Sequence, residues 1–160
     1  MRVYFLRHGK AASRMTWRGV DDERPLTAGG EEAVRREAEM LATMDLGVTA
    51  IVTSPLARAR RTAEIVADAL GLSDRIVGDV RLAHGFDVRR LAEILAEQGK
   101  AGNVMLVGHE PDFSEVVGVL IGGGSVVFKK GGLARVDLAA ARPGGGELVW
   151  LLTPPLLGSG

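Results

Sequence analysis

Short apolar runs alternate along the chain with longer segments in which apolar residues recur at helical spacing. The runs that predict strands are residues 2–6, 49–53, 76–80, 104–107, 133–138 and 147–152, and the segments that predict helices are 28–44, 55–71, 88–97 and a stretch ending at Ile121. Strands and helices that alternate in this way join into parallel sheets through right-handed crossovers. The pattern therefore predicts an α/β fold: a three-layer α/β/α sandwich with a mostly parallel, doubly wound central sheet.

Local signals refine several of these elements. Thr27 stands where a cap is expected for the first helix, and Pro55 is of the type favoured at a helix start. The continuous apolar run 104–107 is typical of a strand buried on both faces. Glycines at 122–124 indicate a turn, and residues 153–160 are rich in Pro, Gly and Ser, which predicts an irregular tail.

Composition narrows the class of protein. At 160 residues and 46% apolar side chains, the chain suits one domain, residues 1–160, with a core of ordinary size. Twenty acidic residues balance twenty basic ones, so we expect neither nucleic acid nor a membrane surface as a partner. The lack of cysteine excludes disulfides, thiolate zinc sites and cysteine nucleophiles. No apolar segment has the form of a signal peptide or the length of a membrane span, so we expect a cytoplasmic protein.

Basic and imidazole side chains follow three of the predicted strands. Arg7 and His8 come after the first strand, Arg58 follows the second, and His109 follows the strand at 104–107. Because the carboxyl ends of parallel strands meet at one edge of a sheet, we expect these side chains to converge. Guanidinium groups match the oxygens of a phosphoryl group, with a carboxylate as the alternative ligand. A P-loop pattern is absent, so nucleotide binding of that type is not predicted.

Four motifs in a fixed order carry a family resemblance. They are Arg7-His8-Gly9, Arg24-Pro25-Leu26-Thr27 with Gly30, Ser54-Pro55-Leu56-Ala57-Arg58-Ala59 with Thr62-Ala63, and Gly108-His109-Glu110-Pro111. In this order they resemble the histidine phosphatase superfamily, whose fold is phosphoglycerate-mutase-like. The later segment 128–133 also resembles the short SixA-type phosphohistidine phosphatase branch of that superfamily.

The resemblance implies a role for each matching residue. His8 would attack phosphorus and become the phosphorylated intermediate, while Arg7, Arg58 and His109 would hold the phosphoryl oxygens. A histidine nucleophile must be neutral, so we expect its other ring nitrogen to be held by an acceptor such as a backbone carbonyl. We expect His109 to be cationic: nearby arginines lower the pKa of a histidine, but a bound phosphate dianion restores it, so substrate binding could itself charge His109. Neither a metal nor another cofactor is implied, because the cationic side chains supply the positive charge.

The proton donor for the leaving group is less clear from the sequence. Superfamily members that hydrolyse phosphate esters place an acidic donor in the segment that here reads 79–87, and the sequence offers His84 and Asp87. The alternatives are a turn histidine and an aspartate that caps the helix at 88. Arg24 either lines the pocket or anchors the loop before the first helix. Trp17, with Lys10 and Arg18, lies on a polar loop that could border the pocket, without a role assigned by the sequence.

The substrate is inferred from the leaving group and the loops. An imidazole that leaves from a phosphoramidate needs less protonation than an alkoxide does, so the lack of a clear donor fits phosphohistidine. The chain also has no long insertion that could close over a small metabolite, which leaves the pocket open to a protein side chain. The sequence therefore predicts a phosphatase, monomeric and metal-independent, that acts on phosphohistidine of a signalling or phosphotransfer protein. A small-molecule phosphomonoesterase of the same superfamily and a non-catalytic phosphate-recognition module are the alternatives.

Overall fold

The structure, a computed structural model, describes residues 1–99 and 102–154. Within those residues the strands are β1 (Arg2–Arg7), β2 (Val48–Thr53), β3 (Ile76–Gly78), β4 (Asn103–Gly108), β5 (Leu133–Leu138) and β6 (Gly146–Leu152). The helices are α1 (Ala28–Leu41), α2 (Ala57–Leu70), α3 (Val88–Gln98) and α4 (Asp112–Leu120). Short 3-10 turns lie at Asp21–Glu23, Ser73–Arg75 and Val80–Leu82.

All six strands join one sheet in the order β3-β2-β4-β1-β5-β6. The pairs β2–β3, β2–β4 and β1–β4 are parallel, whereas β5 is antiparallel to both β1 and β6. β1 therefore lies inside the sheet, with a parallel neighbour on one side and an antiparallel one on the other. This arrangement confirms the predicted mixed α/β fold with a mostly parallel sheet.

Helices cover both faces of the sheet, because successive side chains of a strand point to opposite faces. Val3 and Phe5 of β1 belong to one apolar cluster with side chains of α3 and α4. Tyr4 and Leu6 belong to a second cluster with side chains of α1 and α2. The central strands are thus buried on both faces, as their unbroken apolar runs predicted.

Several element boundaries differ from the sequence predictions. α1 ends at Leu41 rather than 44, and Gly47, with φ +61°, lies in the turn that leads into β2. Pro55 precedes the helix rather than starting it, since Leu56 is the N-cap of α2. β3 ends at Gly78 because the Asp79 side chain caps the following 3-10 turn. Thr27 caps α1, as predicted, by accepting a hydrogen bond from Gly30 N.

The irregular tail predicted for residues 153–160 lies, from 155 onward, outside the described residues. In the described part of the chain, no helix combines the length and the apolar character that crossing a bilayer requires.

Candidate active site

The carboxyl ends of three parallel strands open onto one pocket of about 600 Å³. Arg7 ends β1 and His8 follows it, Arg58 lies in the first turn of α2 after β2, and His109 follows β4. All four side chains line the pocket. The structure therefore brings together the residues that the sequence singled out on separate strands.

Close backbone packing fixes the turn after β1. A Cβ atom on Gly9 would lie 2.6 Å from Cγ2 of Val34, and one on Gly30 would overlap the carbonyl oxygen of Lys10. Gly9 N also donates to Thr62 Oγ1 at 3.1 Å, and that hydroxyl donates to the Arg58 carbonyl at 2.8 Å. These contacts tie the turn that carries His8 to both α1 and α2.

His8 is held as a neutral imidazole with one nitrogen free. Its Nδ1 lies 2.7 Å from the carbonyl oxygen of Gly9, and because a carbonyl only accepts, Nδ1 carries the proton. Burial lowers the pKa of His8 to about 4, and the charges of Arg58 and Arg7 act in the same direction. Nε2 therefore keeps its lone pair at neutral pH, which is the state that a nucleophile requires.

His109 differs from the expectation that it would be cationic. The ring is buried, and burial lowers its pKa to about 3, with His8 and Arg58 acting in the same direction. Its Nε2 lies 2.8 Å from Ser54 Oγ, and its ring centroid lies 5.2 Å from that of His8. In this structure His109 is thus a neutral side chain that Ser54 orients beside His8.

Two arginines line the pocket beside His8, the buried Arg58 and the partly buried Arg7. Nη1 of Arg7 donates to the Phe128 carbonyl at 2.8 Å. Arg58, whose side chain is 2% exposed, donates from Nη1 to the Asp21 carbonyl at 2.9 Å and from Nη2 to Asp21 Oδ2 at 3.2 Å. Burial lowers the pKa of both guanidiniums, yet arginine stays cationic at neutral pH.

Three nitrogen atoms of these side chains have no hydrogen-bond partner among the described residues. They are Arg7 Nε, Arg58 Nε and His109 Nδ1, and each is buried. Buried polar atoms are bonded in most proteins, so three unbonded ones on residues that share a pocket call for an explanation. Because Ser54 Oγ accepts from Leu56 N, its hydroxyl can donate to His109 Nε2, which leaves the ring proton on Nδ1. A tetrahedral oxyanion bound beside His8 would then offer acceptors to all three.

Asp21 joins two buried arginines and was not among the predicted site residues. Its Oδ1 accepts from Nε of Arg24 at 3.0 Å, while Oδ2 accepts from Arg58. Hydrogen bonds from Arg24 and the charges of both arginines hold the pKa of Asp21 below its usual range. The carboxylate therefore fixes the orientation of Arg58 and ties the loop before α1 to α2.

The remaining predicted residues are placed as follows. Arg24 is buried, lines the pocket and donates to the Ala12 carbonyl at 2.7 Å, so it both lines the pocket and anchors its loop. His84 lies at the pocket wall with its ring 6.1 Å from that of His109, at 26° between the planes. Asp87 caps α3 by accepting from Arg90 N at 2.8 Å and does not line the pocket. The structure thus contradicts Asp87 as a proton donor.

The pocket is strongly cationic. Its lining carries six basic side chains, Arg7, Lys10, Arg14, Arg24, Arg58 and Lys130, and one carboxylate, Glu110. Both carboxylate oxygens of Glu110 accept from Ser114, from its amide and from its hydroxyl. Such a lining attracts anions.

One group of side chains near the pocket has the composition of a cation site. Potential ligand atoms of Asp21, Asp22 and His84 lie within 4.8 Å of one another. Both carboxylate oxygens of Asp21 already accept from arginines, which leaves two of the three side chains available. Two ligands are fewer than a calcium or zinc site supplies.

Comparison with known proteins agrees with this geometry. Residues 3–83 match the histidine phosphatase superfamily (branch 1). An uncharacterized protein of Picosynechococcus sp. is 36% identical over 152 residues, which cover 89% of this chain and 88% of that protein. A probable phosphoglycerate mutase, GpmB, of Klebsiella pneumoniae subsp. pneumoniae is 38% identical over 117 residues, or 70% of this chain, and the match spans 52% of GpmB.

The fold is also shared with solved structures. The structure of the protein histidine phosphatase SixA complexed with tungstate superposes with a TM-score of 0.85 at 29% identity, covering 99% of this chain and 100% of SixA. The match to the superfamily and the full-length structural similarity point to the same conclusion as the convergence of His8, Arg7, Arg58 and His109. The chain belongs to the histidine phosphatase superfamily.

Proposed function

We propose that this protein hydrolyses phosphohistidine on a signalling or phosphotransfer protein through a covalent phosphohistidine on His8. The observation that carries the proposal is the set of buried, unbonded donors, Arg7 Nε, Arg58 Nε and His109 Nδ1, around a neutral imidazole. Membership of the superfamily supports a phosphatase. The choice of phosphohistidine as the substrate goes beyond what membership of the superfamily supports.

In the first step, Nε2 of His8 attacks phosphorus and the bond from phosphorus to the substrate nitrogen breaks. The lone pair of His8 forms the new P–N bond, and the departing imidazole keeps the electron pair of the old bond and takes up a proton from solvent. Arg7 and Arg58 neutralise charge on the phosphoryl oxygens as the transfer proceeds, and donors fixed beforehand need no reorganisation.

In the second step, water attacks the phosphorus of the phosphorylated His8. The P–N bond breaks, its electrons return to Nε2, and the hydroxyl of the attacking water stays on phosphorus in the inorganic phosphate. The other proton of the water goes to solvent, which balances the proton taken up in the first step. The Nδ1–H···O contact to Gly9 keeps the ring in the same tautomer before and after the cycle. Arginine charge takes the part that magnesium has in other phosphoryl transfers, so we expect activity without added metal.

The similarities favour phosphohistidine over a small phosphate ester. SixA is matched over its whole length, whereas this chain spans about half the length of the mutase relatives. Of the residues that the structure describes, Glu110 is the one carboxylate that lines the pocket, and both its oxygens accept from Ser114, while Asp87 caps α3. An imidazole leaving group tolerates the lack of a proton donor better than an alkoxide does.

A monomeric state and a cytoplasmic location stay predictions.

A small-molecule phosphomonoesterase is the second candidate. The 38% identity to GpmB over 70% of the chain favours it, as does His84, a titratable side chain on the pocket wall. A module that only binds phosphate would have no use for a neutral nucleophile with one free nitrogen, so we rank it below both enzymes.

The test compares wild type with His8→Ala. Both proteins are incubated, with a chelator present, with a phosphohistidine-bearing phosphotransfer domain, and separately with an aryl phosphate and a panel of phosphorylated metabolites. We expect wild type to release phosphate from the phosphoprotein and His8→Ala to be slower by at least about 10³-fold, because the covalent intermediate cannot form. Vanadate binding, measured in parallel, is expected to survive in the variant and shows that its pocket is folded.

Each other outcome has a definite meaning. Equal rates for His8→Ala and wild type would rule out the covalent mechanism. Turnover of one metabolite far above the phosphoprotein would replace phosphohistidine with that metabolite class. A strict requirement for added divalent metal would show that the arginines do not supply the charge.

A further inference from the structure

A groove adjoins the pocket that contains His8, Arg7, Arg58 and His109, which we call the phosphate pocket, on the side of His84. It encloses about 480 Å³, and four residues line both spaces: Arg14, Arg24, His84 and Glu110. Beyond them the groove is bounded by Trp17 and Pro111. A substrate whose phosphoryl group lies beside His8 would therefore have room to extend past His84 into this groove.

Trp17 forms a fixed wall of the groove. Its indole Nε1 donates to the Val20 carbonyl at 3.0 Å. A Cβ atom on Gly19 would lie 2.9 Å from the indole ring, so the glycine lets the backbone pack directly against it. The loop thus holds the ring in place by its own contacts, and a ring that is fixed in advance loses little freedom when a ligand binds.

The charge of the groove differs from that of the phosphate pocket. The pocket has six basic side chains and one carboxylate, whereas the groove has two of each, Arg14 and Arg24 with Asp21 and Glu110. A second anionic group on the substrate would gain little binding free energy in a groove with equal numbers of basic and acidic side chains. A ring without negative charge gains contact with the aromatic face of Trp17.

We propose that this groove is the leaving-group subsite and that it binds the imidazole ring and neighbouring backbone of a histidine-bearing peptide segment. The proposal rests on the proposed function, because it identifies the part of the substrate beyond the phosphoryl group. Trp17 supplies the aromatic wall, and His84 lies at the boundary between the phosphoryl and leaving-group sides. Multiply charged metabolites such as phosphoglycerates are disfavoured, since the two carboxylates of the groove offset its two arginines and leave no net positive charge for a second anion.

The test measures binding directly and needs no turnover. The protein is saturated with vanadate, which occupies the phosphate pocket, and is titrated in a calorimeter with an unphosphorylated peptide that carries one central histidine. We expect wild type to bind the peptide, and Trp17→Ala to bind it about fivefold more weakly, as the loss of one aromatic contact predicts. Trp17→Phe, which keeps a ring, is expected to stay within about twofold of wild type.

Met15→Ala is the matched control. Met15 lies on the same loop and is 96% exposed, but it does not line the groove, so its variant should bind the peptide like wild type. Vanadate affinity is measured for every variant and is expected to be unchanged.

Three results would overturn the subsite: no peptide binding by wild type, equal peptide affinity for Trp17→Ala and wild type, or loss of vanadate affinity in Trp17→Ala. Tighter binding of 3-phosphoglycerate than of the peptide to the vanadate-loaded protein would overturn the assignment of ligand class. Peptide binding that depends on Trp17, without phosphate release from the phosphoprotein, would instead reject the phosphohistidine substrate and leave the subsite standing.

Discussion

The phosphate pocket and the surroundings of Glu37 both contain buried polar atoms without hydrogen-bond partners among the described residues. The two regions differ in how many such atoms face one cavity and in whether the group can lose its charge. In the pocket, Arg7 Nε, Arg58 Nε and His109 Nδ1 belong to residues that face one cavity. On α1, Glu37 is 4% exposed, and its Oε1 has no partner among the described residues. Burial raises the pKa of Glu37 to about 8, so the carboxyl is protonated at neutral pH.

The difference shows when an unbonded buried group indicates function. Glu37 does not line the phosphate pocket and packs beneath Gly131, where a Cβ atom would lie 2.9 Å from Oε2. A single carboxyl in such a place removes its own charge by taking up a proton. Arginine cannot do so, and several fixed donors around one cavity remain available for an anion. Convergence, rather than burial alone, therefore marks the site.

The largest effect is expected from neutralising a member of the converging group. Arg58→Gln should lower kcat/KM by about 10²- to 10³-fold, because it removes a preplaced donor to the phosphoryl oxygens. Glu37→Gln, which also replaces a buried ionisable group with an amide, should leave kcat/KM within about twofold of wild type. Steady-state kinetics on an aryl phosphate, with a chelator present, measure both variants. Similar losses in the two would erase the distinction between the two regions.

The second effect concerns stability and pH. The pKa of Glu37 is about 8 in the folded chain against 4.5 for a free glutamate, so its contribution is full below 4.5 and is lost as pH rises towards 8. Between pH 5 and 7 this should lower the free energy of unfolding of wild type by about 3 kcal/mol relative to Glu37→Gln. Urea unfolding of both proteins at the two pH values measures the difference.

His8 and His109 have pKa values below 6.5, at about 4 and about 3, so their contribution is full above 6.5 and is lost as pH falls. Both histidines are present in wild type and in Glu37→Gln, and their effect cancels in the comparison. Parallel pH dependence of the two proteins would mean that Glu37 is ionised when folded.

The smallest effect is expected at the exposed edge of the pocket. If His84 protonates the leaving group, His84→Ala should slow an alkyl phosphate about tenfold more than p-nitrophenyl phosphate, whose leaving group needs no proton. His84 lines the pocket, so substrate affinity can change too, and the comparison uses kcat rather than KM. An equal reduction for both esters would leave His84 without a role in proton transfer.

Much of the architecture could be predicted because its signals are local. Apolar runs located each strand of the described residues to within two residues at either end, and β5 was predicted with its exact bounds, Leu133–Leu138. The end of α1 was wrong because Met44 continues the apolar pattern beyond the last helical hydrogen bonds. The four-motif order led to the superfamily, which the comparison with known proteins confirms.

The missed features depend on contacts between distant residues. Asp21 reaches Arg58 across 37 positions, and nothing in the spacing of the two residues predicts that pairing. The charge of His109 was misjudged because its pKa follows from burial, which a sequence does not display directly. Ser54 begins the third of the four motifs and follows β2 directly. That position indicates that its hydroxyl can reach His109, which follows the neighbouring strand β4.

The central position of β1 has a consequence for the order in which a ribosome completes this protein. Arg7 and His8 are synthesised before both neighbours of β1, because β4 and β5 follow β1 in the chain. The nascent chain therefore carries His8 without the strands on either side of β1 until both have been synthesised. The sheet around His8 can be completed only after Leu133–Leu138 has left the exit tunnel.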